Sequence, residues 1–128
     1  MRLLLDTHVF LWLLADPGRL GAPIGLLEDP SNDLLFSAAS AWEIAIKVQL
    51  GRLDLPDDPR RFVPDRMRAI GAEPLPVELN HALVVSELPP LHRDPFDRLL
   101  VAQARHLRLT IVTADVQVAQ YEVDTLMV

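Results

Sequence analysis

Residues 2–8 read RLLLDTH, a short apolar run that stops at an acid, Asp6. A continuous run of this kind is what a strand buried on both faces looks like, because its side chains point alternately into two apolar layers. The segments that follow predict helices between further runs of the same type. VFLWLL predicts a helix over Val9–Leu14, halted by Asp16-Pro17-Gly18, and a second short helix is expected at Ile24–Glu28 before the DPSND turn. Leu34–Phe36 then reads as a strand with Ser37 at its end. Strands alternating with helices indicate an α/β domain around a largely parallel sheet.

The rest of the chain continues the pattern. AASAWEIAIKVQLG is a helix with Ser40 near its start, Glu43 within it and Gly51 as a left-handed C-cap. Leu53–Pro59 reads as a loop, PRRFVPDRMRAIG as a helix ending at Gly71 despite Pro64, and AEPLPV as a short edge strand because Pro76 removes a ladder donor. ELNHALVVSEL reads as one more helix, closed by the Pro89-Pro90 pair. After HRDPF come the helix DRLLVAQARHL, the strand LTIVTAD and a last strand within YEVDTLMV.

Composition narrows the class of protein. With 128 residues, half of them hydrophobic, the chain suits one compact domain. The absence of cysteine excludes disulfides and thiolate metal sites and agrees with a reducing compartment; with neither a signal-peptide pattern nor a membrane-length apolar stretch, a cytoplasmic protein is expected. A net charge of −6 argues against wrapping nucleic acid on a broad basic surface. Such a chain can still cut nucleic acid where divalent cations bridge its carboxylates to phosphate.

The placement of the acids therefore matters more than their number. In a parallel sheet the strand carboxyl ends gather along one edge, where ligands bind in open α/β folds. Asp6, Ser37, Thr113 and Asp115 all fall at such ends. Each acid also has an ordinary reading. Asp6 can cap the helix that follows, with Thr7 supporting it or merely beginning the turn, and Asp115 can be a turn aspartate. Glu43 can pair with Lys47 at i,i+4, although its helical neighbours Ala39, Ile46 and Leu50 are apolar and set it on a buried or cleft-facing stripe.

HRDPFDRLL, residues 92–100, separates two neighbouring aspartates by geometry. Proline suits the first helical position, so Pro95 makes Asp94 the N-cap, its carboxylate turned back onto the helix amides. Asp97 then stands at N3, heading the apolar stripe Leu100, Val101, Ala104 and facing Asp6, unless it serves only as a capping-box acid. Four acids from four segments on one edge repel one another unless a cation intervenes, and oxygen ligands without cysteine favour Mg²⁺ or Mn²⁺.

On these residues the chain resembles the PIN-domain ribonucleases, and among them the VapC-like toxins of type II toxin-antitoxin pairs. The resemblance is carried by LLLDTHVFLWLL, SAASAWEIAIKVQLGRL, LPPLHRDPFDRLLVAQA and LTIVTAD. It implies a PIN-like three-layer α/β/α domain and a Mg²⁺- or Mn²⁺-dependent endoribonuclease whose acid quartet is Asp6, Glu43, Asp97 and Asp115. Thr7, Ser37, Asp94 and Thr113 are then supporting polar groups, and Lys47, Arg93 and Arg98 are candidates for RNA contact. It further implies a VapB-like antitoxin partner, operator DNA engaged only through that antitoxin, and a homodimer. Trp12, Trp42 and Phe62 suit such interfaces when exposed, though Trp42 in particular is expected in the core.

Other readings fit less well. A haloacid dehalogenase-type phosphatase needs an aspartate where His8 stands, and a phospho-receiver domain needs adjacent acids near strand one and a lysine after a late strand. The competing reading from another class is a non-catalytic PIN-like domain that binds a regulatory partner.

Overall fold

The computed structural model describes residues 1–128. Five strands form one sheet in the order β3-β2-β1-β4-β5: β1 (Arg2–Leu5), β2 (Asp33–Ser37), β3 (Ala72–Leu75), β4 (Thr110–Thr113) and β5 (Thr125–Met127). Every neighbouring pair is parallel, with Leu4 aligned to Leu35 on one side and to Ile111 on the other. The six α-helices are α1 (Thr7–Ala15), α2 (Ile24–Glu28), α3 (Ala38–Gln49), α4 (Pro59–Ile70), α5 (Leu79–Val84) and α6 (Pro95–Leu107).

Strand alternation builds the layers. Leu3, Leu5, Leu34, Phe36 and Val112 face one core with Val9, Phe10, Leu27, Ile44, Val63 and Met67 from α1 to α4. The residues between them, Leu4, Leu35 and Ile111, face a second core with Leu100, Val101 and Ala104 of α6. Leu3, Leu4 and Leu5 are all fully buried, which is the burial their sequence predicts for a central parallel strand. Phe10 stacks on Phe36 at 4.1 Å between ring centroids and anchors α1 to β2.

Some local expectations shift. The first helix begins at Thr7 rather than Val9, since Asp6 caps it by accepting the His8 amide at 2.7 Å. α4 runs unbroken through Pro64, with Asp58 as cap and Gly71 left-handed at φ 72°. Pro74, not Pro76, is the proline within the edge strand β3, while Pro76 offers its carbonyl to Gln103. The expected helix over residues 78–88 is six residues of α5 followed by a 3₁₀ turn at Val85–Glu87.

The topology positions the site. From β1 the chain moves outward to β2 and β3, then crosses back to lay β4 on the other side of β1. The strand order reverses between β1 and β4, and the crevice of a parallel sheet opens at such a reversal beyond the strand carboxyl ends. Asp6 follows β1 there, and Thr113 ends β4 beside it.

Candidate metal centre

Asp6, Asp97 and Asp115, with His8, Trp12 and Ala114, line one cleft at this reversal. Asp6 is buried and fixed at both oxygens: Oδ1 accepts the His8 amide, and Oδ2 accepts the Thr113 hydroxyl at 2.7 Å. Its two roles, cap and cleft acid, are compatible, because each carboxylate oxygen has two lone pairs.

Glu43 is equally buried and equally constrained. Its Oε1 accepts the Thr7 hydroxyl at 2.7 Å and its Oε2 pairs with Lys47 Nζ at 2.7 Å. Thr7 therefore supports Glu43, not Asp6, and the i,i+4 pair is real while the acid still acts electrostatically on Asp97.

At the start of α6 the two aspartates divide as the helix geometry requires. Asp94 Oδ1 accepts the amides of Phe96 at 2.8 Å and Asp97 at 3.2 Å. Asp97 is left with no hydrogen-bond donor of its own. Burial, with the Asp94, Asp6 and Glu43 charges around it, pushes its carboxyl up to about 7, against a lowering pull from His92.

His92 is the residue that sequence reasoning missed. Its Nε2 lies 3.0 Å from Asp97 Oδ2 and 3.0 Å from Asp115 Oδ2, with hydrogen-bond geometry only to Asp115. Its Nδ1 accepts the Asp94 amide at 3.2 Å, which assigns the proton to Nε2. Asp115 is held further by the Gln117 amide on Oδ1, and its own amide donates to Thr113 Oγ1. The only signal in the sequence was a histidine two residues before the cap of the acidic helix.

That loop is clamped from the far side. The Tyr121 hydroxyl accepts the His92 amide at 2.9 Å and Arg98 Nη1 at 3.1 Å, while Arg98 also donates to the carbonyls of Pro89 and Val85. Arg98 is thereby a structural residue rather than an available cation. Arg98→Ala is expected to lower stability by about 2 kcal/mol, the scale of charge-assisted hydrogen bonds at partly buried sites. A shift of the urea midpoint checks it.

The remaining candidates scatter. The Ser37 hydroxyl donates to Gln103 Oε1 at 2.7 Å and caps the Ala39 amide, and touches none of the four acids. Lys47 is paired with Glu43, and Arg93 is exposed and makes no ion pair. Trp42 is 63% exposed, contrary to the expected core position. α3 buries the face carrying Ala39, Ser40, Glu43 and Ile44, so Trp42 projects to the other side, edge-on to Phe96 at 5.4 Å.

The donor set suits a hard divalent cation. Asp97 and Asp115 each bring an oxygen within 4.8 Å of the other and of His92 Nε2, which as a donor to Asp115 orients the pair rather than ligating, and Asp6 faces the same cleft. Carboxylate oxygens match Mg²⁺ or Mn²⁺ better than softer metals, and a bound cation would favour the ionised form of Asp97.

Known proteins share this frame. Over 56 residues the chain is 50% identical to Ribonuclease VapC16 of Mycobacterium tuberculosis (strain ATCC 25618 / H37Rv), a match covering 44% of this chain and 40% of that relative's length. Among solved structures, VapBC2 from Rickettsia felis bound to a promoter DNA fragment superposes with TM-score 0.72 at 13% identity, covering 99% of this chain and 98% of that one. VapBC-1 from nontypeable Haemophilus influenzae gives 0.65 at 17%, covering 99% and 98%, and FitAcB from Neisseria gonorrhoeae 0.63 at 21%, covering 96% and 95%. At these identities the structures speak to the fold. Residues 3–124 match the PIN domain family, and with a five-stranded parallel sheet at whose reversal point Asp6, Asp97 and Asp115 line one cleft, the chain belongs to that family.

Proposed function

We propose that this chain is the toxin of a toxin-antitoxin pair, an endoribonuclease that needs Mg²⁺ or Mn²⁺. The observation that carries the reading is the cleft where Asp6, Asp97 and Asp115 meet, with burial and the neighbouring charges pushing the Asp97 carboxyl up to about 7. The local identity to a ribonuclease supports it over the alternative of a non-catalytic partner-binding domain.

A bound divalent ion would supply activation of water and neutralisation of charge on the phosphorane. Asp6, Asp97 and Asp115 would hold it, with Glu43 completing the quartet directly or through water. The chain's own residues prepare that set. Thr113 and the His8 amide orient Asp6, Thr7 and Lys47 orient Glu43, and His92 with Gln117 orients Asp115. Asp97 accepts no hydrogen bond and has only His92 Nε2 beside its Oδ2 at 3.0 Å, which leaves it the least constrained of the four acids.

The partners follow from the same family relation. VapB-like antitoxins accompany the toxins in the Rickettsia and Haemophilus complexes, and a small antitoxin covering this cleft is proposed here, with operator DNA reached only through it. A homodimer in the cytoplasm completes the proposal; no helix is long and apolar enough to cross a membrane.

Cleavage of a mixed RNA substrate should appear with Mg²⁺ or Mn²⁺, fall to background in excess chelator, and return when the ion is restored. Chelator-resistant cleavage would overturn the metal requirement.

A further inference from the structure

An acidic cleft that takes RNA needs cations of its own to hold the phosphates beside the one being cut. Two of the three cations expected to do this are engaged, Lys47 by Glu43 and Arg98 by backbone carbonyls and Tyr121. A different one is prepared. Arg19 sits with its guanidinium 4.2 Å from the centroid of the Trp12 ring, and that guanidinium makes no ion pair or hydrogen bond in the structure.

The local fold explains the placement. α1 ends at Ala15, and the 3₁₀ turn Pro17–Leu20 is pinned by Leu20, which is buried in the first core. The turn returns Arg19, its exposed neighbour, over the helix it has just left. Trp12 itself lines the acid cleft together with Asp6 and Asp97, and the largely exposed His8 ring lies one helical turn away at 6.1 Å. A guanidinium resting on an aromatic face keeps its edge N–H donors free, in the fork that matches phosphate oxygens. The cleft of about 280 Å³ is thus lined by carboxylates together with the His8 and Trp12 rings, and Arg19 is stacked on the Trp12 ring at its margin.

We propose that His8, Trp12 and Arg19 form a nucleotide seat for single-stranded RNA: Arg19 clamps a phosphate flanking the scissile one, and the Trp12 and His8 rings receive the adjoining base. Single strands are favoured because their bases can turn a face to an aromatic ring, whereas bases in a duplex are stacked on each other. This seat rests on the ribonuclease reading for its substrate, but its test does not depend on cleavage.

The test is direct binding without metal. In Trp42→Phe protein, Trp12 is the sole tryptophan. Titration in chelator and low salt with a fluorescein-free oligoribonucleotide should quench its emission, and duplex RNA of the same sequence should quench it far less. Arg19→Ala should weaken single-strand binding about tenfold and flatten the salt dependence by about 0.7 in log–log slope, the value for one phosphate contact, with Arg19→Lys recovering part of both. With Mg²⁺ present, Arg19→Ala should raise KM while kcat changes little. Trp12 is half-buried, so Trp12→Phe replaces an alanine variant, and an unchanged melting temperature certifies each fold.

Unaltered affinity and salt slope in Arg19→Ala would overturn the seat, as would equal quenching by duplex. Loss of antitoxin affinity alone would make Arg19 a protein contact and overturn it too. Quenching without any cleavage in Mg²⁺ or Mn²⁺ would support the seat and sink the ribonuclease reading, whereas normal cleavage with an indifferent Arg19 would do the reverse.

Discussion

Asp97→Asn should abolish RNA cleavage, by a hundredfold or more, while making the metal-free protein more stable at neutral pH. The two effects have one cause. The Asp97 carboxyl is pushed up to about 7, mainly by burial and then by the charges of Asp94 and Asp6. Its folded pKa lies above the unfolded value near 3.8, so between the two the folded chain holds a proton that the unfolded chain has released. The stability contributed by that proton is complete below about pH 4 and lost as pH rises through 7. Asparagine is neutral throughout.

The melting temperatures of variant and parent should therefore coincide near pH 4 and separate toward pH 8, where the variant gains about 2 kcal/mol, several degrees. The figure is held below the full shift because the side chain keeps 18% of its surface exposed to screening water. Mg²⁺ should narrow the gap by stabilising the parent alone. Asp94→Asn is the comparison: asparagine caps a helix as well as aspartate, so cleavage should stay within a few-fold of the parent, while loss of the Asp94 charge beside Asp97 should narrow the pH-dependent gap. A folded, inactive Asp94→Asn beside an active Asp97→Asn would reverse the assignment of the two acids.

Gln103→Leu should cost about 3 kcal/mol of stability, the largest loss expected from one polar side chain here. Gln103 is fully buried in the middle of α6; its Oε1 accepts the Ser37 hydroxyl, and its Nε2 donates to the Pro76 carbonyl at 3.2 Å. Leucine fills similar space but leaves the fully buried Ser37 hydroxyl without its acceptor and the Pro76 carbonyl without its donor. Denaturation in urea should show the loss at unchanged m-value, with kcat per folded molecule retained. Ser37→Ala combined with Gln103→Leu should lose less than the two single changes added together, because neither partner is then orphaned. A fall in kcat for Ser37→Ala at full stability would instead return Ser37 to the acid cleft.

These residues also mark where the sequence could be read and where it could not. Local rules decide the ends of elements, so Pro95 places Asp94 and Asp97 correctly and the RLLL run identifies the central strand. Long-range partners have no local signature: Ser37 and Gln103 are 66 positions apart, and His92 owes its direction to Tyr121 and Arg98. Trp42 was misplaced for a different reason. AASAWEIAIKVQ is apolar almost all round, so its periodicity does not say which face meets the sheet, and packing against β2 and α6 decides. Sequence placed the acids in one neighbourhood, but their individual partners came only with side-chain geometry.

The bond from Thr113 to Asp6 spans 107 positions, and it joins the first strand made to the fourth. During synthesis, β1 can pair with β2 once the first third of the chain is out, yet the far wall of the cleft is missing until β4 has emerged and inserted beside it. Contacts of such long separation form late because the intervening loop must first be closed. A nascent or truncated chain therefore has the acid of β1 but no cavity to put a substrate in. On the proposed ribonuclease reading, that order withholds the cleft from RNA until the chain is nearly complete.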